Sequence, residues 1–152
     1  MKKIKNVMKL LLFAVVLFSM TTIVVEAASF SFAFRGWSQV KSKQFELKSG
    51  NTYQFVTTGE ILIDPATKEH DITTYTELWW ERWYGNKQLN CIYEDYNGIK
   101  NTSKTKYKTV KMSQMKFNHY IDTTSDKFSL RNSAVYATNA YGFTGKTTYK
   151  KK

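Results

Sequence analysis

The chain has 152 residues, with 23 Lys and Arg against 12 Asp and Glu, a formal net charge of +11, one proline and one cysteine. That length suits one ordinary domain with its own core. The lone Cys91 excludes an intramolecular disulfide framework, and two histidines with one cysteine give no zinc-ligand spacing.

The first 27 residues read as a secretory signal peptide. Lys2, Lys3, Lys5 and Lys9 form a basic start, Leu10 to Phe18 carry no polar side chain, and Val25-Glu26-Ala27 sets small residues before a cut after Ala27. Ser19, Thr21 and Thr22 interrupt the apolar run before it reaches the length of a membrane span. The expected product is a secreted single domain, residues 28–152, released or held to the envelope by non-covalent contacts. Its charge follows by subtraction. Four of the 23 basic and one of the 12 acidic residues leave, so 19 against 11 remain, a net +8. Such a domain is drawn to anionic surfaces.

Alternation with period two begins near the cut. Phe30, Phe32 and Phe34 face one way, and Ser29, Ser31 and Ala33 the other. Gln44–Leu47 and Thr52–Val56 flank Lys48-Ser49-Gly50-Asn51 and read as a hairpin. The set Phe45, Leu47, Gly50, Tyr53 and Phe55 is similar to hairpins of small secreted β-sandwiches, carbohydrate-binding modules among them. It covers one hairpin, reflects strand and turn physics, and carries no function with it.

Glu60–Asp64 is a short strand, ended by Pro65 and a polar loop through Asp71. Ile72–Tyr84 is the longest extended segment, and Leu89–Tyr93 returns after Gly85-Asn86. Asn97-Gly98 is a two-residue turn signal leading to a strand over Thr102–Met112. Met115, Phe117, His119 and Ile121 form another alternating face. Phe128–Leu130, Ala134–Ala137 and Lys146–Tyr149 complete eight to ten short strands with no helical period. The fold class is therefore all-β, a single compact antiparallel β-sandwich, with a small β-barrel as the alternative. Cys91, in the alternation Leu89-Cys91-Tyr93, reads as a small buried residue.

Three patches carry candidate binding chemistry. In Glu77–Tyr84, strand geometry puts Trp79 and Trp83 on one face and Trp80, Arg82 and Tyr84 on the other. One face would serve the core, and the other would offer rings that stack on sugars or settle at a membrane interface. In Lys100–Lys116, the side chains of Lys104, Lys106 and Lys108 line up along one strand face, followed by Lys111. That row suits a chain of phosphates or carboxylates, and it equally suits an edge strand protected from aggregation. Lysine in place of arginine favours diffuse attraction over bidentate recognition. The last patch, Lys146 and Lys150–Lys152, reads as a solvated basic tail.

Catalytic signatures are weak. Glu69-His70-Asp71 falls in the loop after Pro65, with neighbouring side chains pointing apart. Glu77 and Glu81 lie roughly 13 Å apart along a strand, too far to flank one glycosidic bond. No nucleophile elbow, zinc-protease motif or glycine-rich phosphate loop occurs. The residues point to a non-catalytic cationic protein without metal or cofactor. Its expected partner is anionic wall polymer or polysaccharide, the alternative is an acidic membrane surface in a toxin-like role, and nucleic acid ranks last.

Overall fold

The computed structural model describes residues 27–35, 39–65, 69–123, 127–136 and 141–152. The expected signal peptide, residues 66–68 of the loop after Pro65, and Ala137 of the expected strand end lie outside them. The described residues form nine strands and no helix. They are β1 (Ala27–Arg35), β2 (Gln39–Lys41), β3 (Thr52–Ile63), β4 (Glu69–Trp80), β5 (Lys87–Lys100), β6 (Lys108–Lys111), β7 (Met115–Tyr120), β8 (Phe128–Tyr136) and β9 (Tyr141–Lys151).

The strands make two antiparallel sheets. The first runs β1-β9-β3, with β6 and β7 in succession along the far side of β3. The second runs β2-β8-β4-β5. Neither sheet closes on itself among the described residues, so the barrel alternative falls and a sandwich-like pair of sheets remains. Alternation explains the layering. Tyr53, Phe55, Ile61 and Ile63 of β3 and Phe143 of β9 are buried from the first sheet, and Ile72, Leu78 and Leu130 from the second. Their intervening residues face outward.

The core has two hydrophobic halves. One gathers Leu47, Tyr53, Phe55, Leu78, Ile121, Phe128 and Leu130. The other gathers Phe32, Ile61, Ile63, Ile72, Met112, Met115, Ala134 and Phe143. A buried polar cluster links the sheets. Thr57 of β3 and Thr147 of β9 share a hydrogen bond of 2.8 Å. Across the interior, the Thr76 hydroxyl of β4 lies 2.9 Å from that of Thr57 and 2.7 Å from the Asn132 carbonyl oxygen of β8. These groups are satisfied only when the sheets lie in one alignment, so they select that alignment over slipped ones.

The β3–β9 pair carries Gly59 opposite Gly145. Here the strands approach so closely that a Cβ on Gly145 would collide with the Thr58 carbonyl oxygen. It would also lie 2.8 Å from Gly59 Cα and 2.9 Å from Phe32 Cζ. Glycine is used for space at this crossing.

Several sequence expectations are corrected. Gln44–Leu47 does not pair with β3, whose sides are taken by β9 and by β6 and β7. Phe45 instead bridges Phe128 of the second sheet. Gly50 does adopt the expected positive φ of 77°. Asn97-Gly98 is not a turn, because β5 continues to Lys100. Gly98 has φ 67° beside a register shift between His70 and Ile72, and its N–H donates to Asp71 Oδ1 at 3.0 Å. A bulge and a tight turn make the same demand for positive φ, which explains the misreading. His70 lies on β4 and is buried, not in a loop. The basic C-terminus is strand: Lys150 pairs with Ala27 and Gln54, and Lys151 with Tyr53. Lying between β1 and β3, β9 has partners on both sides through Lys150 and on the β3 side at Lys151. Cys91 is exposed, because its pairing with Glu77 sets it on the outer face of the second sheet. Partial desolvation of the sulfur by its strand neighbours and the Glu77 carboxylate push the Cys91 thiol pKa up, against a weaker pull from Gln88, so it is a poor thiolate.

Candidate functional site

The tryptophan segment divides where β4 ends. Trp79 faces outward on the second sheet, under the Arg131 guanidinium, whose Cζ lies 3.9 Å from the ring centroid. Its indole N–H donates to Glu77 Oε2 at 2.8 Å. Trp80 packs against the Phe128 half of the core. The strand then stops. Glu81 stays on the face of Glu77 and Trp79, buried among Ser129, Lys41 and Arg131, while Arg82, Trp83 and Tyr84 belong to the β4–β5 connection and not to two strand faces as expected.

That connection is built around Arg82. Its Cζ lies 5.1 Å from the Trp80 ring and 4.6 Å from the Tyr84 ring, and its Nε–H donates to the Gly85 carbonyl at 2.7 Å. The Arg82 N–H donates to Asn86 Oδ1 at 3.3 Å. This frame holds out Trp83, 95% exposed, and Tyr84, 61% exposed, in an edge-on pair with centroids 5.2 Å apart. A nearly free indole beside a fixed cation suits an interface with bound sugar or lipid headgroup.

The lysine row is broken as well. Residues 101–107 are a loop, and only Lys108–Lys111 is strand. Asn101 causes this. Its buried amide nitrogen lies within 3.1 Å of the Ile63, Asp64 and Lys106 carbonyls, and its Oδ1 accepts from the Ser103 N–H. A chain folded around one side chain cannot also lie straight along β3. Lys104 and Lys106 therefore project from the loop, and the Lys108 ammonium donates to the Lys100 carbonyl at 2.7 Å. Asn101→Ala should destabilise the protein by about 2 kcal/mol, because the Ile63, Asp64 and Lys106 carbonyls lose the amide group that they share. It should also speed hydrogen exchange at the Lys106 amide, which now donates to Ser103 Oγ.

The tryptophan tip and this loop sit at opposite ends. Trp80 pairs with Lys87 at one end of the β4–β5 ladder, and Glu69 with Lys100 at the other. Eleven strand steps separate them, roughly 35 Å. The two patches cannot grip one small ligand. The tip instead shares its end with the basic C-terminus. Phe45 bridges Phe128, which pairs with Trp80, and stacks on Tyr149 at 4.7 Å, next to Lys150.

Lys111 belongs to a third surface, the outer face of the first sheet. Lys111 and Lys116 come from the β6–β7 edge, and Lys146 and Lys150 from β9. Between them lie Thr52, Gln54, Thr58, Thr144 and Thr148, with Glu60 the sole acid of the face among the described residues. Sequence reading missed this surface because its lysines come from strands far apart in the chain. The signal present in the sequence is the alternation Thr144, Lys146, Thr148, Lys150, which marks one face of a strand and not the start of a tail. A second missed feature is the outward pair Tyr75 and Tyr93 on the second sheet, with centroids 6.0 Å apart.

The candidate catalytic groups do not assemble. Glu77 faces outward, while Glu81 is buried against Ser129 and Lys41. His119 is half-buried, 3.4 Å from the Asn90 amide; burial lowers its pKa, with Asp122 opposing. No three His, Cys, Asp or Glu side chains among the described residues form a metal-binding group. Comparison with known proteins adds no relative: no family model matches the chain, and no curated protein matches its sequence.

Proposed function

We propose that this is a secreted, non-catalytic, cationic binding protein, exported by removal of residues 1–27, whose single sandwich domain associates with anionic cell-envelope polymer or carbohydrate. The observation that carries this reading is the outer face of the first sheet, along which Lys111, Lys116, Lys146 and Lys150 are spread with one carboxylate, Glu60, among the described residues. A broad, hydroxyl-rich face with spaced ammonium groups suits a polymer whose charges repeat along its length. The test is co-sedimentation of the protein with isolated walls. Binding at low salt should fall steeply as salt is raised, and should weaken when the four lysines are changed to glutamine. No pelleting at low salt would remove this reading.

A second reading, a membrane-active protein, is favoured by one observation, the exposure of Trp83 and Tyr84 on the Arg82 frame. Cationic charge would find acidic lipid and the rings would enter the interface. Dye release from acidic vesicles checks it. Trp83→Ala should abolish release while changing unfolding free energy by less than about 0.5 kcal/mol, because Trp83 has almost no packing to lose. Vesicles left intact by the unsubstituted protein exclude it.

A further inference from the structure

The outer face of the first sheet is not flat. A depression of about 410 Å³ lies over the Gly59–Gly145 crossing, lined by Ser31, Thr58, Glu60, Lys111, Thr144 and Lys146. It is shallow and widely open to solvent, so it suits one sugar-sized unit resting on the sheet and not an enclosed ligand. Its side chains are two ammonium groups, one carboxylate and three hydroxyls. No aromatic or aliphatic side chain lines it. The rest of the lining is the Gly59 and Gly145 backbone with threonine methyl and lysine methylene groups, so no ring is offered for stacking, and orienting a ligand falls to charge and hydrogen bonds.

Register fixes where these groups stand. Glu60 pairs with Lys111 on one side and with Thr144 on the other, and Thr58 pairs with Lys146. The two lysines thus flank β3 from its neighbouring strands. Strand spacing puts their Cα atoms roughly 12 Å apart, so both flexible side chains can reach one group held between them. Among the described residues, neither lysine nor Glu60 makes an ion pair. Their charges are free to meet a ligand. All six side chains stand on paired strands, and the glycine crossing beneath them cannot widen without breaking the β3–β9 ladder.

We propose that this depression is a binding site for one singly anionic, hydroxyl-bearing unit: a sugar or polyol carrying a carboxylate or a phosphodiester. The anion sits between Lys111 and Lys146. Ligand hydroxyls donate to Glu60 and exchange hydrogen bonds with Ser31, Thr58 and Thr144. Glu60 gives the selectivity. The two ammonium groups and this carboxylate leave a site charge of +1, so a single negative charge neutralises the site, and the second charge of a dianion would stand uncompensated beside Glu60. The site rests on the envelope-binding reading and gives it a repeating unit.

The test is a titration of the isotope-labelled protein, followed by amide chemical shifts, with sodium glucuronate, glycerol phosphodiester, glucose and inorganic phosphate. One of the first two should shift Gly59, Glu60, Thr144 and Gly145 saturably, with a dissociation constant on the order of 1 mM, as expected for a single unit of a polymer ligand. Which of the two does so identifies the anion. Lys111→Gln with Lys146→Gln should weaken this by about tenfold or more. Lys116→Gln with Lys150→Gln, on the same face outside the depression, should change it less than about twofold. All four lysines are exposed, and an unchanged unfolding midpoint confirms that the variants fold. Equal weakening by the two pairs, equal shifts with inorganic phosphate, or no saturable shift with either organic anion would overturn the site. The walls separate this from the parent reading. Wall binding that survives Lys111→Gln with Lys146→Gln undiminished sinks the site alone. A saturable titration without wall binding sinks the parent reading alone.

Discussion

Gly145→Ala is expected to lower unfolding free energy by about 3 kcal/mol, measured by urea denaturation, although alanine fits strand dihedrals well. The cost comes from space. The new methyl would be driven into the Thr58 carbonyl and would approach Gly59 Cα and Phe32 Cζ to within 3 Å. Phe32 belongs to the core and cannot move freely, and the Thr58 oxygen is part of the chain backbone. Relief requires β3 and β9 to separate, which strains the longest pairing of the first sheet. Gly50→Ala has open space around its Cβ and strains only φ. It should cost about 1 kcal/mol. A smaller loss at Gly145 than at Gly50 would show that the crossing is looser than described.

Glu81→Ala is expected to cost about 3 kcal/mol at neutral pH, and the difference should shrink in acid. Its carboxylate accepts from the Ser129 hydroxyl, lies 2.9 Å from the Lys41 ammonium and 3.7 Å from Arg131, and is only 6% exposed. Removing one partner of a buried ionic group leaves the others uncompensated. The loss is no larger than this because Lys41 is 42% exposed and can turn to water. Burial pushes the Glu81 pKa up, but the Ser129 hydrogen bond, Lys41 and Arg131 outweigh it and hold the group below its ordinary value of 4.5. A carboxyl with a lowered folded pKa stabilises the protein above its unfolded pKa. That contribution is lost as pH falls through the folded value. Urea midpoints at pH 7 and near pH 3 should thus differ less in Glu81→Gln than in the unsubstituted protein. An identical acid slope in both would remove Glu81 from the acid response.

The binding surfaces depend on long-range pairing. Lys111 and Lys146 are 35 positions apart in the sequence, and only β3 brings them to one depression. Trp79 and Trp83 are near neighbours in sequence and have separate fates, one under Arg131 and one in solvent. The point at which β4 stops decides this. Glu81 finds Ser129 and Lys41 on strands that no local pattern identifies.

Local periodicity was enough to read the all-β class, the number of strands to within one or two, and the shared face of Met115, Phe117 and His119 on β7, whereas β3 reads as two strands, Thr52–Val56 and Glu60–Asp64, and is one. Alternation is written in consecutive residues and needs no partner to be seen. Gly50 was legible as a positive-φ position for the same reason. Gly98 was legible as a special position but not as a bulge, since that depends on β4 lying opposite. Tertiary structure alone decided which strands are neighbours, that Gln44–Leu47 crosses to the second sheet, and that Asn101 folds the lysine segment into a loop. It also placed Cys91 outward and gathered lysines from β6, β7 and β9 on one face. Each of these is settled by a hydrogen bond or contact between residues distant in sequence, and a single chain's local pattern holds no record of such partners.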